Sequence, residues 1–341
     1  MAIPTKICGL VTGLVLVSSS LHSQPVSAAD CGTQDTVTVS EFSWLSASIE
    51  AHVVKEILTE GYDCDVIMQP GDTVPTATSM LQKSKPDIAP ELWVSNVVEI
   101  WGKIQDKGTV YKANDIFREG GKEGFYIPEY VAEANPGLKT IHDLPEYAEL
   151  FTEPATGGKG RIYSAPPGWA SEITISNIYR AMNLDDRGFE EKPFSPGSGA
   201  NLKATIARKV TRKQPFVGYY WEPTAVVGRY NLVRLEIPEG HQPDRWACLT
   251  DSHCENPKVS DWPTGEVAVA VTTELKKNAP DVARMLERMQ FPNDMMNGLL
   301  GWADEGSHES EAAAERFLEM HEDVWTQWVP DDVADRVRAS L

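Results

Sequence analysis

The chain of 341 residues carries 50 acidic against 31 basic side chains, a formal net charge of −19 and 41% apolar residues. That length supports two domains with a core each, and the acidity argues against nucleic acid or an anionic membrane surface as the main partner. No uninterrupted apolar run reaches the length of a bilayer span, and charges interleaved with aromatics argue against long disorder.

In chain order, residues 1–29 read as a secretory signal peptide. Lys6 supplies the positive flank, GLVTGLVLV the apolar stretch and Ser27-Ala28-Ala29 the small residues at a cleavage point. Asp30 before Cys31 is not the small residue a lipidation site would need, so a soluble exported protein is expected. Export removes Cys8 and leaves Cys31, Cys64, Cys248 and Cys254, an even set for an oxidising compartment. Three pairings are open, and proximity favours Cys31–Cys64 and Cys248–Cys254; zinc is disfavoured because no CxxC pair exists.

TVTVSEF has strand character, and Ile49, Val53, Ile57 and Leu58 then fall at helical spacing, with Gly61 as a stop. CDVIM reads as the next strand with Pro70-Gly71 as its turn; a helix near residues 75–84 leads to a strand through Asp87–Trp93. GRIYSAP reads as a strand, Ser171 as the N-cap of a helix carrying Ile173, Ile175, Ile178 and Met182, and residues 199–213 as a further helix with a basic end. PFVGYYWEP and EVAVAVTTEL are strands, and Pro280 opens a helix. Residues 310–328 form an amphipathic helix, stopped by Pro330, whose Phe317, Leu318, Val324, Trp325 and Trp328 face the core. Strands alternating with helices in this way predict an α/β fold with mainly parallel sheets, arranged as two lobes around a cleft.

Enzyme signatures are missing: there is no GxSxG, HExxH, GxGxxG or phosphate-binding P-loop. SPGSGA lacks nucleophile-elbow context and reads as a helix entry, and the histidines do not form metal-ligand pairs. Asn183, Asp185 and Asp186, with Glu190, are weak candidates for a structural calcium ion. They lack the glycine and spacing of an EF-hand, so a solvated acidic loop is expected and no cofactor is required.

Tryptophan carries the strongest signal. Of ten, four share one kind of location: Trp44 after the first strand, Trp93 ending DIAPELW, Trp169 in the PPGW turn and Trp221 ending VGYYW. Ligands of parallel α/β sheets bind at the carboxyl ends of strands. Any single indole there could simply pack at the sheet edge; four together predict a shared cage. Indole faces suit methylated nitrogen, whose charge is spread over groups that donate no strong hydrogen bond.

FSWLSA, PELW, APPGWASE and GYYWEPTAVVGRYNLVRL resemble segments of the periplasmic substrate-binding proteins of ABC importers for glycine betaine, choline and related osmolytes. GFYIPEYVAEANPGLKTIHDL and the spacing of the four tryptophans are most similar to the trimethylamine N-oxide binders among them. The resemblance implies a type II periplasmic-binding-protein fold, two α/β lobes joined by a hinge, and a monomer that delivers its ligand to a membrane permease. It implies ligand binding by Trp44, Trp93, Trp169 and Trp221, with Glu129 of YIPEYV as a polar contact. It also implies lobe limits, with residues 30–126 plus 229–341 in lobe 1 and 127–228 in lobe 2.

A betaine carboxylate needs donors, and the four motifs hold no Arg or His, whereas Glu172 and Glu222 flank two of the tryptophans. That ranks trimethylamine N-oxide ahead of betaine or choline. A secreted α/β hydrolase acting on a small amine is the competing class, and the sequence offers it no organised catalytic set. The basic stretch ARKVTRK reads as a solvated helix end, with permease docking as its alternative.

Overall fold

The computed structural model describes residues 1–2 and 30–341; the signal-peptide reading, with Cys8, lies outside the described residues. Two sheets organise the chain. The larger has five strands in the order β2-β1-β3-β8-β4, formed by Val37–Phe42 (β1), Val66–Gly71 (β2), Ile88–Trp93 (β3), Val110–Asp115 (β4) and Val267–Thr272 (β8). The smaller has the order β6-β5-β7, from Lys122–Pro128 (β5), Gly218–Glu222 (β6) and Leu232–Arg234 (β7).

Only the two pairings of β1 are parallel; β8 runs antiparallel to β3 and β4, and the smaller sheet is wholly antiparallel. The expectation of mainly parallel sheets is corrected accordingly. The cause is topological: β8 enters the large sheet only after the chain returns from the small one, and it enters from the opposite end. Strand β8 and strand β3 are buried along their whole lengths, so both read as near-continuous apolar runs.

Helix Leu45–Glu56 (α1) continues as a π-helical turn over Ile57–Gly61, and Ile49, Val53, Ile57 and Leu58 are fully buried as their spacing predicts. Strand β2 starts two residues later than expected and runs through Pro70-Gly71, which a strand at the sheet edge tolerates. Thr73–Lys83 (α2) and Val98–Lys107 (α3) follow, then Glu129–Ala134 (α4), Ala170–Ala181 (α5), Gly199–Thr211 (α6), Ala225–Arg229 (α7) and Pro243–Leu249 (α8).

GRIYSAP does not form a regular strand. Gly160 and Tyr163 make isolated bridges to Phe189, Phe194 and Gly218 instead. Thr273–Asn278 (α9), Pro280–Leu286 (α10) and Asn293–Gly306 (α11) lead to Ser310–Met320 (α12), which breaks at His321 before Glu322–Trp325 (α13) and Asp331–Ser340 (α14). The expected single helix over 310–328 is therefore two, although Phe317, Leu318, Trp325 and Trp328 are core as predicted.

Both expected disulfides are present, Cys31–Cys64 and Cys248–Cys254. The chain crosses between lobes at Gly121 and again at Gly265, whose backbones pair through N–H···O bonds of 3.1 and 2.8 Å. Sheet membership moves the lobe limits from those the resemblance implies. Strand β5 already begins at Lys122, and β7 pairs with it, so Leu232–Arg234 lies in the small sheet and not in the large one. The segment that follows stays with the small lobe: the amide of Asn177 on α5 donates to the carbonyls of Leu249 and Asp251, and Arg180 donates to that of Cys254.

Candidate functional site

Local sequence places the four indoles at one level. Trp44 is the extended residue that precedes α1, so its ring leaves the chain just beyond the carboxyl end of β1. Trp93 closes β3, Trp169 occupies the position before α5, and Trp221 lies near the end of β6. All four are 5–7% exposed. Trp44 meets Trp169 edge to face at 5.2 Å, and Trp169 meets Trp221 in the same way at 5.0 Å, the favoured geometry for aromatic pairs. Trp93 joins through a carboxylate: the Nε1–H groups of Trp44 and Trp93 both donate to Oε1 of Glu91, at 2.7 and 2.9 Å.

The four rings line one cavity, together with Thr73, Asn96, Glu123, Ala170, Ser171 and Tyr219. Its volume is about 20 Å³ in terms of where a water-sized sphere can be centred, against roughly 10–15 Å³ for a single water. The rings are therefore closed down on little more than the space of one water. Trp44, Trp93, Thr73 and Asn96 come from the large-sheet lobe and the remainder from the other, so the cavity lies between them. Backbone contact sets how closely the rings approach. A Cβ at Gly121 would overlap the Trp93 ring, and one at Gly199 would come within 2.9 Å of Trp169, so glycine at both positions lets the indoles seat.

The polar pole of the cavity is Glu123, 3% exposed, at the start of β5. Tyr219 Oη and Ser171 Oγ donate to its Oε1 at 2.6 and 2.7 Å, and Asn96 Nδ2 donates to Oε2 at 2.7 Å. Burial pushes its carboxyl above the usual range, against the pull of those three donors. Ser171 is therefore committed to the site, whereas the sequence suggested a helix cap; Trp169 occupies the N-cap position.

Glu129 is not part of this constellation. It is exposed at the first turn of α4, past Pro128, at the end of β5 opposite to Glu123. A strand advances about 3.3 Å per residue, which separates the two carboxylates by much of the strand's length. The signal that could have found Glu123 and Glu91 is a lone carboxylate inside a strand that is otherwise apolar or aromatic, in KEGFYIP and IAPELW. Glu222 accepts a hydrogen bond from Tyr126, and Glu172 is half-buried on α5; neither lines the cavity.

Asn183, Asp185 and Asp186 are exposed around a 3-10 turn, and both carboxylate oxygens of Glu190 accept from Arg161, at 2.7 and 2.9 Å. Among the described residues no group of three or more His, Cys, Asp or Glu side chains gathers to hold a metal. In ARKVTRK, Lys209 pairs with Glu153 and Lys213 lies over the Tyr130 ring, so part of the basic end serves its own lobe.

Several further bonds tie the lobes together around the cavity. Trp169 Nε1 donates to Ser43 Oγ at 3.0 Å, and Trp246 Nε1 donates to the carbonyl of Ser95 at 2.7 Å. The carboxylate of Asp304 on α11 pairs with both Lys203 on α6 and Arg229 on α7.

Comparison with known proteins gives a family and a fold. Residues 35–320 match the family model for the substrate binding domain of ABC-type glycine betaine transport systems. A trimethylamine N-oxide-binding protein of Pelagibacter ubique is 24% identical over 329 residues, covering 94% of this chain and 98% of that protein. Among solved structures, a choline-binding protein of an ABC transporter, in complex with choline, superposes with a TM-score of 0.70 at 19% identity over 91% of this chain and 98% of that one. The glycine betaine/L-proline-binding protein ProX of Borrelia burgdorferi gives 0.69 at 16% identity over 89% and 100%. These structural likenesses show the fold. The family match covers most of the chain, and the chain belongs to this family of binding proteins, which serve transport and are not enzymes.

Proposed function

We propose that this member of the family is an extracytoplasmic receptor for a small methylated amine, trimethylamine N-oxide before betaine or choline, which it delivers to the permease of an ABC importer. The observation that supports the reading best is the meeting of four buried indoles and one buried carboxylate in a single inter-lobe cavity. Cation–π attraction contributes about 2 kcal/mol per desolvated face. Several faces together offset the cost of immobilising the guest and reach the roughly −8 kcal/mol of a micromolar complex.

The polar groups support the ranking of ligands. No Arg, Lys or His lines the cavity, and the nearby Ser171, Tyr219 and Asn96 donors are already directed at Glu123. A ligand carboxylate would lack donors there and would face Glu123, whereas the positive pole of an N-oxide is compatible with it. In this reading open lobes admit the ligand, the rings of both lobes exclude water around it, and the permease recognises the closed form. No bond is made or broken.

Titration calorimetry and thermal shift with trimethylamine N-oxide, betaine, choline and carnitine test this, since a bound ligand raises stability by mass action. Trimethylamine N-oxide is expected to bind most tightly. Tighter binding of betaine would overturn the ranking, and no binding by any of the four would overturn the cage.

A further inference from the structure

Behind the cage lies a second pair of acidic groups that ligand contact does not account for. Glu91 and Glu50 are both fully buried, Glu91 on β3 and Glu50 on α1. Glu91 and Trp93 lie two residues apart at the end of β3 and share a hydrogen bond. Oxygen Oε1 of Glu91 receives both indole N–H groups and the buried Ser46 hydroxyl lies beside the same carboxyl, while Oε2 of Glu91 and both oxygens of Glu50 lack a well-formed hydrogen bond among the described residues. Among the described residues no lysine or arginine pairs with either carboxyl. Two facing carboxylates without a cation cannot both be ionised in a dry interior. One proton resolves all of this: a neutral Glu50 donates its O–H to Oε2 of Glu91, and Glu91 stays anionic and holds the indoles.

We propose that Glu91 is the positioning residue of the cage, fixing Trp44 and Trp93 by their N–H groups. As the charged member of a carboxyl pair whose proton rests on Glu50, it also makes both rings better hosts for a positive methylated nitrogen. An indole whose N–H is bonded to an anion carries more electron density on its face, where the guest sits. The order of titration agrees: burial and its neighbour hold Glu50 well above the usual carboxylate range, while burial raises Glu91 only to about 7 against the pull of the indole donors, so Glu50 takes the proton first. The effect on the guest rests on the methylated-amine reading; the hold on the rings does not.

The test uses Glu91→Gln, Glu91→Leu and Glu50→Gln in the full chain, with two readouts. The first is NMR of the indole Nε1–H signals in ligand-free protein. Trp44 and Trp93 should lie far downfield in the wild type and in Glu50→Gln, and move upfield in Glu91→Leu. The second is calorimetry with trimethylamine N-oxide and tetramethylammonium. Glu91→Gln keeps an acceptor without the charge and should bind about tenfold more weakly, Glu91→Leu more weakly again, and Glu50→Gln within about twofold of wild type because Gln can donate as the protonated acid does. Indole signals that do not move in Glu91→Leu would overturn the positioning role. Equal affinity in Glu91→Gln and wild type would overturn the charge, and a Glu50→Gln loss as large as that of Glu91→Gln would overturn the placement of the proton. If the wild type binds neither ligand, the methylated-amine reading fails together with the claimed effect on the guest, and the NMR readout still decides the positioning role.

Discussion

A cage indole has two chemically distinct parts, a face for the guest and an N–H that needs an acceptor when buried. Three of the four N–H groups have an identified acceptor, Glu91 for Trp44 and Trp93 and Ser43 for Trp169. Replacing Trp44, Trp93, Trp169 or Trp221 with alanine removes a face and opens a void. Each change is expected to weaken binding at least about tenfold, or ~1.4 kcal/mol, by calorimetry; unchanged affinity in two of the four would reject a shared cage. Gly121→Ala tests the same geometry from beneath. Its methyl would overlap the Trp93 ring, so binding is expected to fall by about tenfold although the new side chain touches no ligand. Wild-type affinity in that variant would mean that Trp93 is not seated where the guest binds. The residue types of the cage were legible because tryptophan is rare and its four positions share one context. The acceptors were not, because a glutamate in a strand announces an unusual burial without saying which N–H groups it meets.

At the level of elements, helix and strand periodicity placed the indoles correctly wherever a periodic segment was long. Helix α1 begins at the residue after Trp44, and α5 at the residue after Trp169, so both rings leave the chain where a strand or loop turns into a helix. Short segments were less informative: GRIYSAP has strand composition, yet its residues find only isolated partners because the small sheet is complete with three strands. The disulfides act on elements too. Cys31–Cys64 spans 33 residues and ties the segment before β1 to the segment before β2, while Cys248–Cys254 spans 6. Loop-closure entropy favours the longer span. Replacing Cys31 and Cys64 with serine is expected to cost roughly 2–4 kcal/mol in denaturant unfolding, and the corresponding change at Cys248 and Cys254 less, with ligand affinity preserved in both. Equal losses from the two double variants would refute the entropic account.

On the scale of the whole molecule, the cage exists only while the lobes are together. Asp304 is 7% exposed at its side chain and takes cations from both α6 and α7 of the opposite lobe. Asp304→Asn would leave Lys203 and Arg229 facing one another with no anion between them. The ligand-free variant is expected to scatter X-rays with a larger radius of gyration and to release ligand faster; an unchanged radius and off-rate would show that the pair does not hold the lobes. Among the described residues no helix is long and apolar enough to cross a membrane. Composition and spacing alone pointed to the α/β class, favoured the two disulfide pairs by proximity and singled out the four indoles, since each depends on residue type and on short-range order along the chain. The tertiary structure decided the rest: that Glu123 and not Glu129 lines the cavity, that two buried acids lie behind the rings, and that Leu232–Arg234 joins the small sheet. Those depend on which strand lies beside which, and on the direction each runs, and pairing between distant segments leaves no local periodicity to read.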